Sequence, residues 1–404
     1  MKILFLHPNF PAQFKAPCIG LAQTNRHDVK FICQTHFGRS INGVEKLVLK
    51  GSGSHENTLL AGKNEHERIL FRAKAYRTSF LTLNNQNWQP DVVVAHSGWG
   101  CGLHVKEIWP RTHFISYLEW WFDAKSDLIA SLKQNEYYKL NEKAIQKLWN
   151  RNIPTAFEMS VSDKIITPTN WQKQQLPPLL RNICEVVPDQ IDKAMFFPEP
   201  TKISKRPLLT YGTRGMEPMR GFPQFIKAIP YLLRKWPQLK IEIAGSDTVS
   251  YGGNLPKEKS WQKWASNFLS SEGLSDRVEW LGQMPLKKYS NWLKKTWCHV
   301  YLSEPFVTSW SFIEAMHCEI PMVVSDTKAT LEFEHINQNI SKIDHNNQEE
   351  LLAAINAQIR FRGNFKRNNP GDARLPQIEK AFLRQSSTRN LASLIADVEA
   401  TTKI

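Results

Sequence analysis

The 404-residue sequence contains no apolar run of roughly 18 or more residues, which excludes a conventional membrane-spanning helix. It has no Cys-x-x-Cys pair either. The six cysteines (Cys18, Cys33, Cys101, Cys184, Cys298 and Cys318) are scattered, which disfavours a zinc site or a disulfide framework and fits buried free thiols. Basic residues are numerous but form no arm, which weighs against nucleic acid as a partner. The opening MKILFLHPNF has too short an apolar stretch for a signal peptide, since Pro8 follows the run ILFL almost at once. The chain is therefore expected to stay in the cytoplasm. Glycine is missing from the first loop, with none before Gly20.

What is present describes a soluble globular protein, with 41% hydrophobic and 22% charged residues. The length exceeds one ordinary core, so two domains of roughly 200 residues each are expected. A formal net charge of +14 points to an anionic partner, such as a phosphorylated ligand or an acidic membrane surface. Fourteen tryptophans are many for this length. Trp120, Trp121, Trp171, Trp261 and Trp264 are candidates for core packing or for stacking on sugar faces.

The first half alternates strand and helix signals. MKILFLH, DVKFICQ, DVVVAHS, HFISYLE and DKIITPT are short apolar runs that each lead into a polar turn. Gln13 to Thr24, Ala73 to Asn84 and Glu136 to Asn152 carry helical spacing, and Pro154 is expected to stop the last of these. FPEPTKISKRP holds three prolines and reads as a linker. A second series follows in PLLTYGT, LKIEIAG, VEWLGQM, CHVYLSE and IPMVVSD. Alternation of this kind predicts two parallel, doubly wound α/β domains, with ligands beyond the carboxyl ends of the strands in a cleft between the two.

The segment Ser303 to Asp326 reads as a strand end, a turn, a helix with Glu314 and a second buried strand. A carboxylate on an otherwise apolar helix opening is costly to bury without partners. Two adjacent ribose hydroxyls would satisfy it, which makes Glu314 a candidate nucleotide anchor. Arg214 ends the strand PLLTYGT, and Arg220 stands beside Gly221 and the next helix. Two guanidiniums there suit a diphosphate, with the helix dipole adding attraction; the alternative is a pair of solvated arginines. His96 ends the strand DVVVAHS before Gly98 and Gly100, where it is either structural or functional. Glu119 follows an apolar run and precedes two tryptophans; it either serves a site or pairs with a basic side chain.

These motifs bear a resemblance. The second half resembles the donor-sugar domain of the retaining GT-B glycosyltransferases of family 4, whose members carry an Arg, a Lys about six residues later, and a Glu-x7-Glu motif. Arg214 matches the Arg, Arg220 stands at the Lys position, and Glu314 in FIEAM matches the second Glu. Phe306 occupies the position of the first Glu, and Glu304 lies two residues out of register. VVPDQID, ITPTNWQKQQLP, IAGSDTVSYGG and VEWLGQMP also resemble family segments, the last two bringing Gly245 and Met284 near the nucleotide base. NFPAQF, HSGWG and RGMEPMRG resemble one subgroup in particular.

The resemblance implies the GT-B fold: two Rossmann-like doubly wound domains facing a central cleft. The acceptor-side domain would cover residues 1–197, the nucleotide-sugar domain 198–375, and a C-terminal helix within 376–404 would pack back across the hinge. It implies hexosyl transfer from a nucleoside diphosphate sugar to an acceptor hydroxyl with retention, in glycan, glycolipid or cell-envelope polysaccharide synthesis. The acceptor would be a glycan, a lipid-linked carrier or a small molecule, with peripheral contact to an anionic membrane at its inner face. The donor would be held by Arg214, Arg220, Glu314, Gly245 and Met284, with the turn Val307, Thr308 and Ser309. Glu119 and His96 would act with the two arginines in catalysis. Phe10, Pro11, Ala12 and Gln13 would form an acceptor or phosphate loop. No DxD-like acidic pair marks a strand end, so neither a metal nor another cofactor is expected. The alternative is a non-catalytic protein of the same fold that binds a nucleotide or glycan.

Overall fold

The computed structural model describes residues 1–49, 65–199, 202–333, 339–368 and 390–402. The chain divides into two compact units. One comprises Met1–Ser126, Asn141–Gln190 and Ser386–Ile404; the other comprises Asp127–Leu140 and Ile191–Gln385.

In the first unit, seven strands form one parallel sheet. They are β1 (Lys2–Leu6), β2 (Asp28–Cys33), β3 (Val44–Val48), β4 (Val92–His96), β5 (His113–Tyr117), β6 (Lys164–Thr167) and β7 (Cys184–Val186). Their order is β3-β2-β1-β4-β5-β6-β7. Side chains alternate across a strand, so β1 feeds two cores at once. Ile3 and Phe5 join Phe14, Phe31 and Val94 on one face, and Leu4 and Leu6 join Tyr76, Phe80 and Phe114 on the other. The helix Leu391–Thr402 adds Leu391, Leu394 and Ile395 to the first of these cores. The preceding part of the expected C-terminal helix, 376–389, lies outside the described residues.

The second unit holds β8 (Leu208–Gly215), β9 (Lys240–Ser246), β10 (Val278–Gly282), β11 (Cys298–Tyr301), β12 (Met322–Ser325) and β13 (Ile340–Ile343). They make a parallel sheet in the order β10-β9-β8-β11-β12-β13. The helix Phe222–Lys235 buries Phe222, Phe225, Ile226, Ile229, Leu232 and Leu233 against it, at the spacing of one helical face. The helix Asp127–Gln134 belongs to this unit despite its place in the chain.

Two helices differ from the expected ones. The expected helix over Glu136 to Asn152 begins at Glu142, where the Asn141 side chain accepts the Ala144 amide at 2.9 Å. Pro154 does not stop the chain's helical course. It sits in the first turn of a further helix, Asn152–Val161, where a missing N–H leaves no bond unmade. The tryptophans named above are core residues: Trp120, Trp121, Trp171 and Trp261 are buried, and Trp264 packs against the second unit's core. All six cysteines are free and buried. No helix among the described residues is long and apolar enough to cross a membrane.

Candidate active site

In each sheet the order of strands reverses at one point, and there the loops leave to opposite faces and open a crevice at the carboxyl ends. In the first unit the reversal lies between β1 and β4, and in the second between β8 and β11. Most of the candidate residues lie near these two places, whereas Gly245 is in β9 and Met284 follows the edge strand β10.

At the first reversal, His7 follows β1 and His96 ends β4, with ring centroids 4.8 Å apart and planes edge to face. The His96 Nδ1 lies 3.1 Å from the Ser97 carbonyl, which can only accept, so this nitrogen carries the proton in the neutral ring. The Nε2 then presents its lone pair to the Gln13 amide at 3.4 Å. The second hydrogen of that amide goes to Glu119 Oε1 at 3.2 Å, and Glu119 Oε2 stands 3.6 Å from His96 Nε2. Gln13, His96 and Glu119 thus form one cluster, with His96 buried and Glu119 open to solvent over 39% of its side chain. His7 accepts the Asn9 amide at 2.8 Å, and burial beside His96 holds its pKa well below the usual value.

The loop after β4 is held from below. Glu158 on the helix Asn152–Val161 accepts the Gly98 amide at 3.0 Å and the Gly102 amide at 2.7 Å. Burial raises its carboxyl to about 7. Gly98 and Gly100 adopt φ values of 89° and 83°, which permits the tight course of this loop.

The four residues of the NFPAQF loop separate. Phe10 is core, packed on Phe31 with centroids 4.9 Å apart, and Pro11 is buried beside it. Ala12 and Gln13 open a short 3-10 helix, and Gln13 is the member that joins His96 and Glu119.

At the second reversal, Arg214 at the end of β8 is exposed, whereas Arg220 is buried. The Arg220 Nη1 donates to Ser303 Oγ at 2.9 Å, and its guanidinium carbon lies 4.9 Å from the ring centre of Tyr251. Gly221 turns the chain into the next helix at φ 62°, and a side chain there would come within 2.3 Å of Leu302 Cβ. Glu217 is completely buried; its Oε2 accepts the amides of Ser250 (2.9 Å) and Tyr251 (2.8 Å). Burial raises its carboxyl, and the neighbouring Arg220 and Arg214 oppose the rise.

Glu314 lies on the helix Trp310–His317, which begins a few residues after β11. It is 9% exposed, and among the described residues its carboxylate has no hydrogen-bond or ion-pair partner. Burial alone pushes it up to about 8. Ser309 caps that helix by accepting the Ser311 amide at 3.1 Å, Thr308 is buried, and Val307 is half-buried. Gly245, next to last in β9, has a φ of 140°, and a side chain there would meet the Thr213 carbonyl at 2.1 Å. Met284 packs at the edge of the core that contains Ala244, Tyr301 and Phe312.

Glu304 proves to be a structural acid. Its carboxylate accepts from Ser131 Oγ and from Asn135 Nδ2 (2.6 Å), and His345 Nε2 is 3.3 Å away. It therefore ties the Asp127–Leu140 segment to the second unit.

His7, Glu158, Glu217, Tyr251 and Ser303 join these two places without having stood out in the sequence. A signal existed for Glu217, an acid between two arginines in an apolar turn. None existed for Glu158, whose partners lie on a distant loop.

Two family models match the chain. One, described as the glycosyl transferase family 4 group, matches residues 25–196, and the other, glycosyl transferases group 1, matches residues 194–369. No curated protein sequence matches the chain. Among solved structures, sucrose-phosphate synthase from Thermosynechococcus elongatus is 12% identical with a TM-score of 0.66, covering 90% of each chain. Anabaena HepE, in complex with UDP-glucose, is 15% identical with a TM-score of 0.62, covering 100% of this chain and 99% of its own. WaaG, a glycosyltransferase involved in lipopolysaccharide biosynthesis, is 13% identical with a TM-score of 0.59, covering 98% of each chain. At such identities the likeness establishes the fold, and the two family models account for most of the sequence. The chain belongs to the group 1 glycosyltransferases of GT-B fold.

Proposed function

We propose that the protein transfers a hexose from a nucleoside diphosphate sugar to an acceptor hydroxyl with retention of anomeric configuration. The observation that carries this is Glu314, a buried carboxylate without a protein partner among the described residues. Vicinal ribose hydroxyls supply the two donors it lacks. Arg214 and Arg220 bind the diphosphate and stabilise the charge that builds on it as the glycosidic bond breaks, so no metal is needed for that task. The amides of Val307, Thr308 and Ser309 add hydrogen-bond donors at the opening of the Glu314 helix, and Gly245 and Met284 border the nucleotide base.

On the acceptor side, His96 turns its Nδ1 to the Ser97 carbonyl and its Nε2 to Gln13, which links it to Glu119. This trio orients the acceptor hydroxyl and takes up its proton. The net charge of +14 suits an anionic acceptor, such as a lipid-linked carrier at the inner face of the membrane. Glycan or cell-envelope polysaccharide synthesis in the cytoplasm is the matching pathway class.

The test is binding and turnover of uridine, guanosine and adenosine diphosphate sugars, with Arg220→Ala and Glu314→Ala as controls. Wild type should bind one nucleotide class and hydrolyse or transfer its sugar slowly, and both variants should bind it about tenfold or more weakly. A wild type that binds none of the three overturns the proposal; one that binds but never turns over is a binding protein.

A further inference from the structure

Arg220 sits among aromatic side chains that a diphosphate alone does not require. Tyr251 lies over the Arg220 guanidinium and meets Phe306 edge to face, with ring centroids 5.2 Å apart. Arg220 and Phe306 are buried, while Tyr251 remains 36% exposed. The loop that carries Tyr251 is not left to drift. Its Ser250 and Tyr251 amides are fixed by Glu217, a carboxylate sunk completely into the unit. The other oxygen of Glu217 is buried without a hydrogen-bond partner.

Burying an under-satisfied carboxylate is unfavourable, and ordinary surface loops are not held at that cost. The return is a fixed aromatic ring beside the arginine that faces the diphosphate. In a nucleotide sugar the diphosphate joins the ribose to the hexose. With the ribose at Glu314, an aromatic wall at Arg220 meets the hexose.

We propose that Tyr251, backed by Phe306, is the specificity-determining residue for the donor sugar, recognising a hexopyranose by stacking against the C–H face of its ring. The proposal rests on the donor-site reading above and deepens it. Stacking contributes to sugar binding and leaves the nucleotide contacts alone, so the two can be separated by ligand choice.

The experiment titrates uridine, guanosine and adenosine diphosphates and their glucose or mannose conjugates into wild type, Tyr251→Phe, Tyr251→Leu and Phe306→Leu. The ratio of free-diphosphate to conjugate Kd isolates the sugar's share. Tyr251→Phe should keep that ratio, whereas Tyr251→Leu should reduce it about tenfold, the scale of one aromatic contact. Phe306→Leu should reduce it in the same direction, and affinity for the free diphosphate should stay within about threefold in all variants. A wild type that binds no diphosphate removes the donor reading itself. If wild type binds but Tyr251→Leu leaves the ratio unchanged, or weakens both ligands equally, the stacking role is wrong and the donor site stands. Thermal melting of each variant shows whether it is folded.

Discussion

The Arg220 guanidinium donates to the Ser303 hydroxyl at 2.9 Å, joining the turn after β8 to the residues after β11. That bond aims a cation, held below the surface, at the point where the strand order reverses.

Arg214 and Arg220 should therefore fail differently. Arg214 is exposed, so Arg214→Ala should weaken diphosphate binding with no change in melting temperature. Arg220→Ala should weaken it about 10- to 100-fold, the range for a lost charge-assisted hydrogen bond, and should also lower the melting temperature by leaving Glu217 buried without its cation. Arg220→Lys should restore binding only in part, since an ammonium keeps the positive charge but not the planar fork. Calorimetry and melting curves on the same samples check both effects.

Glu314 makes stability depend on pH in a defined direction. Its folded pKa of about 8 exceeds the ordinary carboxylate value of about 4.3. Between these values the folded protein holds a proton that the unfolded chain has lost. The stability contribution is complete below about pH 4.3 and is lost as pH rises through about 8, by about 1.4 kcal/mol per pH unit within the window. Glu314→Gln should flatten this part of the melting-temperature profile. Nucleotide binding should tighten from pH 6 to 8 in wild type, as the ionised carboxylate takes up the ribose hydroxyls, and should be insensitive to pH in the variant. An equal pH slope in both proteins would contradict this account.

Glu158 should govern the loop that carries His96. In Glu158→Gln one of the two glycine amides faces an N–H₂ group in place of an oxygen, at a cost of about 1–3 kcal/mol. Hydrogen exchange at Gly98 and Gly102 should accelerate, while the amides of β1 keep their protection. Unchanged exchange at both glycines would mean that the loop is held by something else.

Gly221 should tolerate no side chain. Its φ of 62° and the 2.3 Å approach to Leu302 Cβ combine backbone strain with overlap. Gly221→Ala should destabilise the second unit by roughly 3 kcal/mol or more, from strain plus overpacking. Denaturant titration followed by tryptophan fluorescence measures it.

Glu304→Gln should loosen the Asp127–Leu140 segment by weakening its links to Ser131, Asn135 and His345. Limited proteolysis should find new cleavage within that segment, at a stability loss of about 2 kcal/mol. Protection equal to wild type would assign the anchoring to apolar contacts instead.

Much of the architecture was legible from strands such as KILFL and MVVS, because a parallel strand buried on both faces is written as a short continuous apolar run. The strands that escaped notice, β3, β7 and β13, stand at sheet edges and read VEKLV, CEV and ISKI, where charge replaces the apolar pattern. The helix around Pro154 was misread because proline's effect depends on its distance from the helix start, which a local pattern does not reveal. Glu314 was visible as an acid among apolar neighbours. Glu304 looked much the same in sequence, yet its carboxylate accepts hydrogen bonds from residues about 170 positions away. Composition marks a buried acid; long-range partners decide whether it is free to bind.

The crossing of Asp127–Leu140 into the second unit bears on how such a protein can be rebuilt. A donor-specificity chimera made by joining halves at the proline-rich linker would take everything after the linker, Glu304 included, from one parent and Ser131 and Asn135 from the other. The transplanted Glu304 would then depend on whichever helix its new host supplies. Exchange should succeed only when both pieces of the second unit travel together, so two separated stretches of the gene behave as one heritable module.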